Sequence, residues 1–205
     1  MDKNVLTPEE SFSIINKAIS NFKMNYKERA KIFLLWGWVL TLASFSNFII
    51  IRILNINEEY ELVAGKWEFE GLLSLGNWVL FILAGFIIQF FILRKIDKNK
   101  KVYSYLDTYL TKLWQVTAIS CFVATLLCMK IGIAPPSIML LIAGIATTTS
   151  GLLIKFRPVV IGGMAFFILS IVTTFVSNEY IALIVGAAII CGYLIPGYLL
   201  KSAKE

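Results

Sequence analysis

The residues that could do chemistry within the apolar segments of this chain are mainly hydroxyl-bearing. Four of them are consecutive, Thr147, Thr148, Thr149 and Ser150, near the middle of one apolar segment. Four successive helical positions point around the whole helix, so these hydroxyl groups cannot all line one pore. Some are expected to bond back to carbonyl oxygens four residues earlier. Together with Gln89, on another segment, they form a candidate polar membrane layer for an uncharged solute.

Acid–base, nucleophilic and metal chemistry have few residues to use. The chain has no histidine, and its charged residues lie at or beyond the ends of the apolar segments. A serine nucleophile would therefore lack an activating base. Cys121 and Cys128 share a helix face about 10 Å apart, too far for a disulfide, and they are expected with Cys191 to be packing residues. We predict no catalytic residue, no metal, no cofactor and no enzymatic activity.

Composition and charge indicate a membrane protein. The 205 residues are 58% hydrophobic and 16% charged, whereas soluble domains are about 25% charged. Six apolar segments can be drawn, and assigning the connections alternately to two sides puts 16 of the 19 Lys and Arg residues on one side. This is the positive-inside pattern. It predicts an inner (plasma) membrane protein, and it explains the net charge of +6 without nucleic-acid binding.

We therefore predict an all-α polytopic membrane protein with six transmembrane helices, both termini in the cytoplasm, and an amphipathic N-terminal cytoplasmic helix. The divisions are a cytoplasmic helix at 1–31, a membrane domain at 32–200 with a cytoplasmic segment at 94–112, and a tail at 201–205. The spans are predicted at about 32–51, 72–93, 113–133, 137–154, 159–176 and 180–195. Thr7 and Pro8 are typical of a helix start, Pro135-Pro136 of a break outside the membrane, and Pro196-Gly197 of an end or kink.

Two amphipathic elements on the predicted cytoplasmic side form a candidate interaction face. The first is an apolar seam at steps of three and four residues, which resembles two heptads of a coiled coil. The second is a stripe at 102–113, which either lies on the membrane surface or extends the third span inward. The residues of this face are Phe12, Ile15, Ile19, Phe22, Tyr26, Tyr105 and Tyr109. The two elements could pack on each other, lie flat on the bilayer, or bind a cytoplasmic protein.

Side-chain amides and small residues predict contacts between the spans. Asn47 and Asn77 lie near the outer ends of the first two spans and could hydrogen-bond to each other. Small residues four apart, such as Gly144 with Thr148, allow helices to approach closely. They favour packing within the bundle over an interface between copies, although a homo-oligomer stays open.

The leading function hypothesis is a non-enzymatic interaction or regulatory protein of the membrane. Its basic, amphipathic cytoplasmic face would engage a partner, and its other partner is the lipid bilayer. The alternative is a transporter or channel for a small uncharged or lipophilic solute, which would use the hydroxyl groups from Thr147 to Ser150.

Several short stretches carry a resemblance. They are Phe33-Leu34-Leu35-Trp36-Gly37-Trp38, Ser150-Gly151, Phe156-Arg157-Pro158 and Gly192-Tyr193-Leu194-Ile195-Pro196-Gly197 with Tyr198-Leu199-Leu200. They resemble a group of small multi-pass membrane proteins from Bacteroidetes-type bacteria. The resemblance implies a six-helix protein of a bacterial inner membrane and assigns no functional residue.

Overall fold

The computed structural model describes residues 8–53, 69–97, 105–131 and 135–202, and within these ranges the regular structure is entirely helical. The elements are α1 Pro8–Ile53, α2 Phe69–Asp97, α3 Tyr105–Ile131, α4 Pro135–Leu153, α5 Arg157–Val172, α6 Asn178–Ile189, a π-helical turn at Ile190–Leu194, and α7 Ile195–Ser202. An all-helical polytopic architecture is the one that the sequence predicts.

Within the described ranges, five helical segments are long and apolar enough to cross a membrane. They are Ala30–Arg52, Leu73–Lys95, Thr108–Ile131, Pro135–Leu153 and Tyr180–Ser202, the last passing through α6, the π-turn and α7. The helix α5 is also apolar but has only 16 residues. The length and composition of these helices are thus those of a multi-pass membrane protein.

The division predicted at residue 31 lies inside a single helix. The helix α1 runs through 46 residues from Pro8 to Ile53, which corresponds to about 69 Å at 1.5 Å per residue. The sequence turns from polar to apolar after Lys31, but it has no Gly or Pro there to interrupt the backbone hydrogen bonds. A change of polarity alone does not end a helix, so the predicted cytoplasmic helix and first span are continuous.

The other helix bounds differ from the predicted spans mainly at proline and polar positions. The stripe at 102–113 continues into α3, which begins at Tyr105. Pro135 and Pro136 lie in the first turn of α4, where a missing N–H removes no hydrogen bond. Pro196 does not end the last helix, which continues to Ser202.

The helices α4 and α5 form an antiparallel hairpin. The turn uses Lys155, the only non-glycine residue with positive φ in the described chain (54°). There the amide N–H groups of Lys155 and Phe156 donate to the carbonyl oxygens of Leu152 and Gly151, the Schellman pattern that ends a helix. At the other end of the hairpin, the Ser170 hydroxyl donates to the Ser137 carbonyl oxygen over 2.7 Å.

Glycines line the contact between the two helices of the hairpin, α4 and α5. A methyl group at Gly151 would lie 2.7 Å from the backbone nitrogen of Val160, and one at Gly163 would lie 2.6 Å from that of Thr148. A methyl group at Gly144 would meet the ring of Phe167 at 2.9 Å. These glycines therefore allow α4 and α5 to approach each other within the molecule, as internal packing of the small residues requires.

The remaining helices differ in how much of their surface is buried in the bundle. The α6–π-turn–α7 rod runs antiparallel to α1, and 56% of its membrane-length segment is buried, compared with 6% for α2 and 11% for α3. The helix α2 packs on α1, and α3 packs on α4. The core therefore consists of α1, α4, α5 and the last rod, with α2 and α3 at the periphery.

Two glycine substitutions test the close contact between α4 and α5. We expect Gly163→Ala to lower the stability of the detergent-solubilised protein by roughly 1–3 kcal/mol, because the new methyl group meets the backbone of α4. The matched control is Gly76→Ala, where no atom lies within 4 Å of the new methyl group. We expect it to be neutral or to stabilise α2 by up to about 1 kcal/mol. Thermal unfolding would measure both, and equal stability of the two variants would contradict the packing.

Candidate functional site

The predicted polar layer on α4 divides into one bonded and three unbonded hydroxyl groups. Thr149 donates to the Ile145 carbonyl oxygen four residues earlier over 2.7 Å, a back-bond of the kind that the sequence predicts. The buried hydroxyl oxygens of Thr147, Thr148 and Ser150 have no hydrogen-bond partner in the described structure. Thr147 and Ser150 are almost completely buried, with 0% and 1% exposure.

Gln89 is not part of this layer. It lies on α2, where its Oε1 accepts a hydrogen bond from the indole N–H of Trp36 on α1 over 2.6 Å. The ring of Trp36 also stands edge-on to Phe86 of α2, with centroids 5.1 Å apart. Gln89 therefore fastens α2 to α1, and the structure does not bring it together with the hydroxyl groups of α4.

Polar groups nearer the opposite ends of α1 and α2 likewise connect the helices. The Ser74 hydroxyl donates to Asn47 Oδ1 over 2.8 Å, and the Ser46 hydroxyl donates to Asn77 Oδ1 over 2.8 Å. Asn77 Nδ2 donates to the Ala43 carbonyl oxygen over 3.0 Å. The two asparagines thus bond to serines and backbone rather than to each other, and this polar cluster holds the helices in register.

The π-turn is the irregular element of the core, and its position follows from Pro196. Proline has no N–H, and its ring would collide with the carbonyl oxygen four residues earlier in an α-helix. One extra residue per turn relieves that collision, so the helix passes into a π-turn at Ile190–Leu194 instead of ending. Such turns are uncommon and frequently occur at functional sites.

Gly162 of α5 accommodates the backbone of the π-turn. A methyl group on Gly162 would lie 3.0 Å from the carbonyl oxygens of both Cys191 and Gly192, and 2.9 Å from the Pro196 ring. The bare Cα therefore packs directly against carbonyl groups at the irregular turn, a contact that Cα–H···O attraction favours. Gly192 in turn leaves the space that the ring of Phe166 fills.

Tyr193, at the centre of the π-turn, joins three other helices through aromatic contacts. Its ring centroid lies 5.1 Å from Phe166 of α5, 5.9 Å from Phe33 of α1 and 6.1 Å from Trp114 of α3. Phe33 and Trp114 also meet edge to face at 6.3 Å. We call these four residues the aromatic cluster. Each contact of this type contributes about 0.5–1.5 kcal/mol beyond area burial.

The hydroxyl groups and the aromatic cluster adjoin each other. The Tyr193 hydroxyl interacts with the Thr147 side chain, although the Thr147 oxygen has no partner at hydrogen-bond geometry. No group of three His, Cys, Asp or Glu residues that could hold a metal occurs in the described chain, and its three cysteines are free. This arrangement can donate or accept hydrogen bonds to an uncharged group, but it has no base to activate a nucleophile.

Sequence reasoning did not identify the π-turn, Tyr193 or the other members of the aromatic cluster as a site. One available signal was Pro196 inside a segment that is otherwise apolar and long enough to span. Gly162 and Gly192 were visible as small residues, but their partners could not be read from spacing. The cluster itself depends on four helices and has no signature along the chain.

The candidate interaction face is distributed over two helices, α1 and α3. Phe12, Ile15, Ile19, Phe22 and Tyr26 lie on α1 and Tyr105 on α3, and their side chains are outside the described part of the structure. Tyr109 is 66% exposed. At 100° per residue it lies about 140° around α3 from Trp114, which contacts α1 through Phe33. The tyrosine stripe therefore does not face α1 at Tyr109.

The comparisons with known proteins identify no relative. No family model, no curated protein and no solved structure matches the chain.

The unbonded hydroxyl of Thr147 can be tested against a bonded one. We expect Thr147→Val, which keeps the shape and removes only the hydroxyl, to change stability by less than about 0.5 kcal/mol or to increase it. Ser44→Ala removes a buried hydroxyl that donates to the Ala182 carbonyl oxygen, and we expect it to cost roughly 1 kcal/mol. Unfolding of both variants in detergent would show which substitution lowers the stability more. A larger loss for Thr147→Val would mean that the hydroxyl has a partner, such as the Tyr193 hydroxyl, water or a bound solute.

Proposed function

We propose that this protein is a non-enzymatic interaction or regulatory protein of a bacterial inner membrane, which engages a cytoplasmic protein through the N-terminal part of α1. The observation that carries the proposal is the unbroken course of α1. Its membrane-length segment begins at Ala30, and the helix begins at Pro8. The 22 preceding residues extend about 33 Å beyond that segment.

The continuity of α1 favours a projecting helix over one lying on the membrane surface. A surface helix runs parallel to the bilayer, and a spanning helix crosses it at an average tilt of about 20°. A single helix cannot do both without a sharp kink, and kinks occur at Pro, Gly or π-turns. The sequence between Lys27 and Trp36 contains neither Pro nor Gly, and the helix there is α-helical.

The proposal includes six spans with both termini in the cytoplasm. Contacts between α5 and α4 extend from Val160–Gly151 to Ser170–Ser137, so α5 returns across the depth that α4 crosses. Its 16 residues measure about 24 Å, a mismatch that local thinning of the bilayer accommodates. Most of the described cations then share one end of the bundle, and only Arg52 and Lys130 lie at the other. The shared end holds Lys31, Arg94, Lys95, Lys112, Lys155, Arg157 and Lys201, and the positive-inside rule assigns it to the cytoplasm.

The interior of the bundle supports a role without catalysis. The polar side chains within the spans mostly connect helices, as in the Trp36–Gln89 and Asn47–Ser74 bonds. Intramembrane chemistry normally uses ionisable residues in the span centres. In the described spans, Lys and Arg occur only near the ends. The chemically distinctive part of the molecule is then its basic end.

A specific observation also favours the alternative function, transport of a small uncharged solute. Thr147 and Ser150 are buried without a hydrogen-bond partner, and the Thr147 side chain adjoins that of Tyr193 in the π-turn. A solute with hydroxyl or amide groups could satisfy them. Flux in proteoliposomes that disappears when Thr147–Ser150 are replaced by Val and Ala would support transport, and no flux over a broad panel of solutes would count against it.

A pair of matched variants tests the interaction proposal. Ile15→Asp with Ile19→Asp places charge in the apolar seam, whereas Ser13→Asp with Ser20→Asp places the same charge on the other side of the same helix. We expect native mass spectrometry of protein extracted with its lipids to show a stoichiometric protein partner for the wild type and the serine variant. The seam variant should lose at least about tenfold in affinity for that partner, since buried charge costs more than 1.4 kcal/mol. Absence of a partner from the wild type, or its retention by the seam variant, would refute the proposal.

The topology has its own test. We expect a cysteine at Ser202, in a chain whose three native cysteines are replaced by alanine, to react with a membrane-impermeant maleimide only in inside-out vesicles. A second cysteine at Ser13 should behave in the same way, because six spans put both termini on one side. Labelling of the two positions from opposite sides would mean an odd number of spans and would refute the crossing of α5.

A further inference from the structure

The seam of α1 has a definite direction relative to the bundle. We define the seam as Phe12, Ile15, Ile19, Phe22 and Tyr26. Because α1 is one helix, the direction of each position follows from 100° per residue. Counted from Phe33, all five positions lie within about 60° of that residue. Lys17, by contrast, lies about 160° away.

Phe33 points to the interior of the bundle. It contacts Trp114 and Tyr193 in the aromatic cluster, and a methyl group at Gly197 of α7 would lie 3.4 Å from Phe33 Cβ. The lipid-facing side of α1 is elsewhere, at Leu42, Phe45 and Ile49. The seam positions therefore lie above the basic end of the protein's own bundle and not toward its outside.

The described helices reach only the first part of the seam. The helix α7 ends at Ser202, five residues past Gly197, which packs on Leu34 of α1. The helix α3 begins at Tyr105, nine residues before Trp114, the contact of Phe33. These extensions measure about 8 Å and 14 Å. The seam continues to Phe12, 21 residues or about 32 Å before Phe33.

A second copy of the chain does not fit the seam as a parallel helix pair. Copies in one membrane have parallel α1 helices, and each helix continues without a break into its span. A neighbouring α1 packed on the seam at 8–10 Å would run into the position of Trp114 and Tyr193. The internal segment between α2 and α3 that the structure leaves undescribed, 98–104, has seven residues, whereas the seam needs a partner about 15 residues long.

The charges beside the seam favour an acidic occupant. Counted in the same way from Phe33, the nearest charged residues of 12–31 are Arg29, Lys23 and Lys27, at about 40°, 80° and 120°. Lys17, Lys31 and the acidic residue Glu28 lie on the far side of the helix, at about 140–160°. Lys201 lies at the end of α7. A narrow apolar seam with basic flanks is complementary to an amphipathic helix with acidic flanks. Electrostatic attraction of this kind weakens with salt.

We infer that the seam binds an amphipathic helix of about four turns, flanked by Asp and Glu, from a separate cytoplasmic protein, and that this helix docks over the basic end of the bundle and stops at the membrane surface. The inference rests on the proposed function and adds to it the direction of the site and the chemistry of the partner.

Photo-crosslinking of the full-length protein in its own membranes tests the inference. The photoreactive residue p-benzoylphenylalanine replaces Phe22 in the seam or Lys17 on the far side of α1. We expect an adduct with another protein from position 22 and not from position 17, and peptide mass spectrometry should locate it in an amphipathic segment with acidic flanks. Lys23→Glu with Lys27→Glu should lower the yield about fivefold, which is about 1 kcal/mol, as expected for exposed ion pairs.

Each other result overturns the inference. Three of these results are an adduct from position 22 with the wrong segment: a second copy, residues 98–113 of the same chain, or a peptide without acidic flanks. The other two are equal adducts from positions 22 and 17, and no adduct from either. Suppose that crosslinking gives one of these results, but the seam variant with Ile15→Asp and Ile19→Asp still loses a partner that the wild type binds. The proposed function then stands, and only the inferred partner is wrong. If the wild type has no stoichiometric partner, the proposed function fails as well.

Discussion

The close approach of α5 to both α4 and the π-turn is the contact on which the rest of the structure depends. Lipid tails are as apolar as leucine, so burial of apolar surface does not drive helices together in a bilayer. Van der Waals contact between closely approaching helix backbones drives their association instead. Gly163 and Gly151 allow this contact between α5 and α4, and Gly162 allows it between α5 and the π-turn. A side chain at any of these positions would move a helix axis.

The position of α1 follows from this arrangement. Gly162 and Pro196 set the backbone of the π-turn, and the π-turn places Tyr193 among Phe166, Trp114 and Phe33. Two further contacts, Leu194 on Gly37 and Gly197 on Leu34, fix the rotation of α1 about its own axis. Since α1 is continuous, that rotation also sets which way each position of the helix faces beyond the bundle. Packing within the bundle thus decides which way the seam faces.

Polar groups in the spans have two different roles. Most join neighbouring helices, as in the bonds of Asn47, Asn77 and Gln89, and each contributes about 1 kcal/mol or less. The buried hydroxyl groups of Thr147, Thr148 and Ser150 have no hydrogen-bond partner in the described structure, and the Thr147 side chain adjoins Tyr193 of the π-turn. The first group explains how the peripheral α2 is held, and the second is the reason for retaining transport as an alternative function.

The sequence by itself determined the all-helical class and the apolar segments, because hydropathy acts along the chain wherever it folds. Its charge pattern also predicts the side on which most cations lie. It also indicated a back-bond such as that of Thr149 and the small-residue contacts of Gly144, which need only local spacing. The continuity of α1 and the π-turn have local causes, the lack of Gly and Pro around Lys31 and the presence of Pro196. Tertiary structure decided the aromatic cluster and the separation of Gln89 from the hydroxyl groups. Each depends on which helix faces meet, and residues distant in sequence supply those faces. The same physical reason explains the seam: its spacing was visible in the sequence, but its direction was set by Phe33 packing on Tyr193.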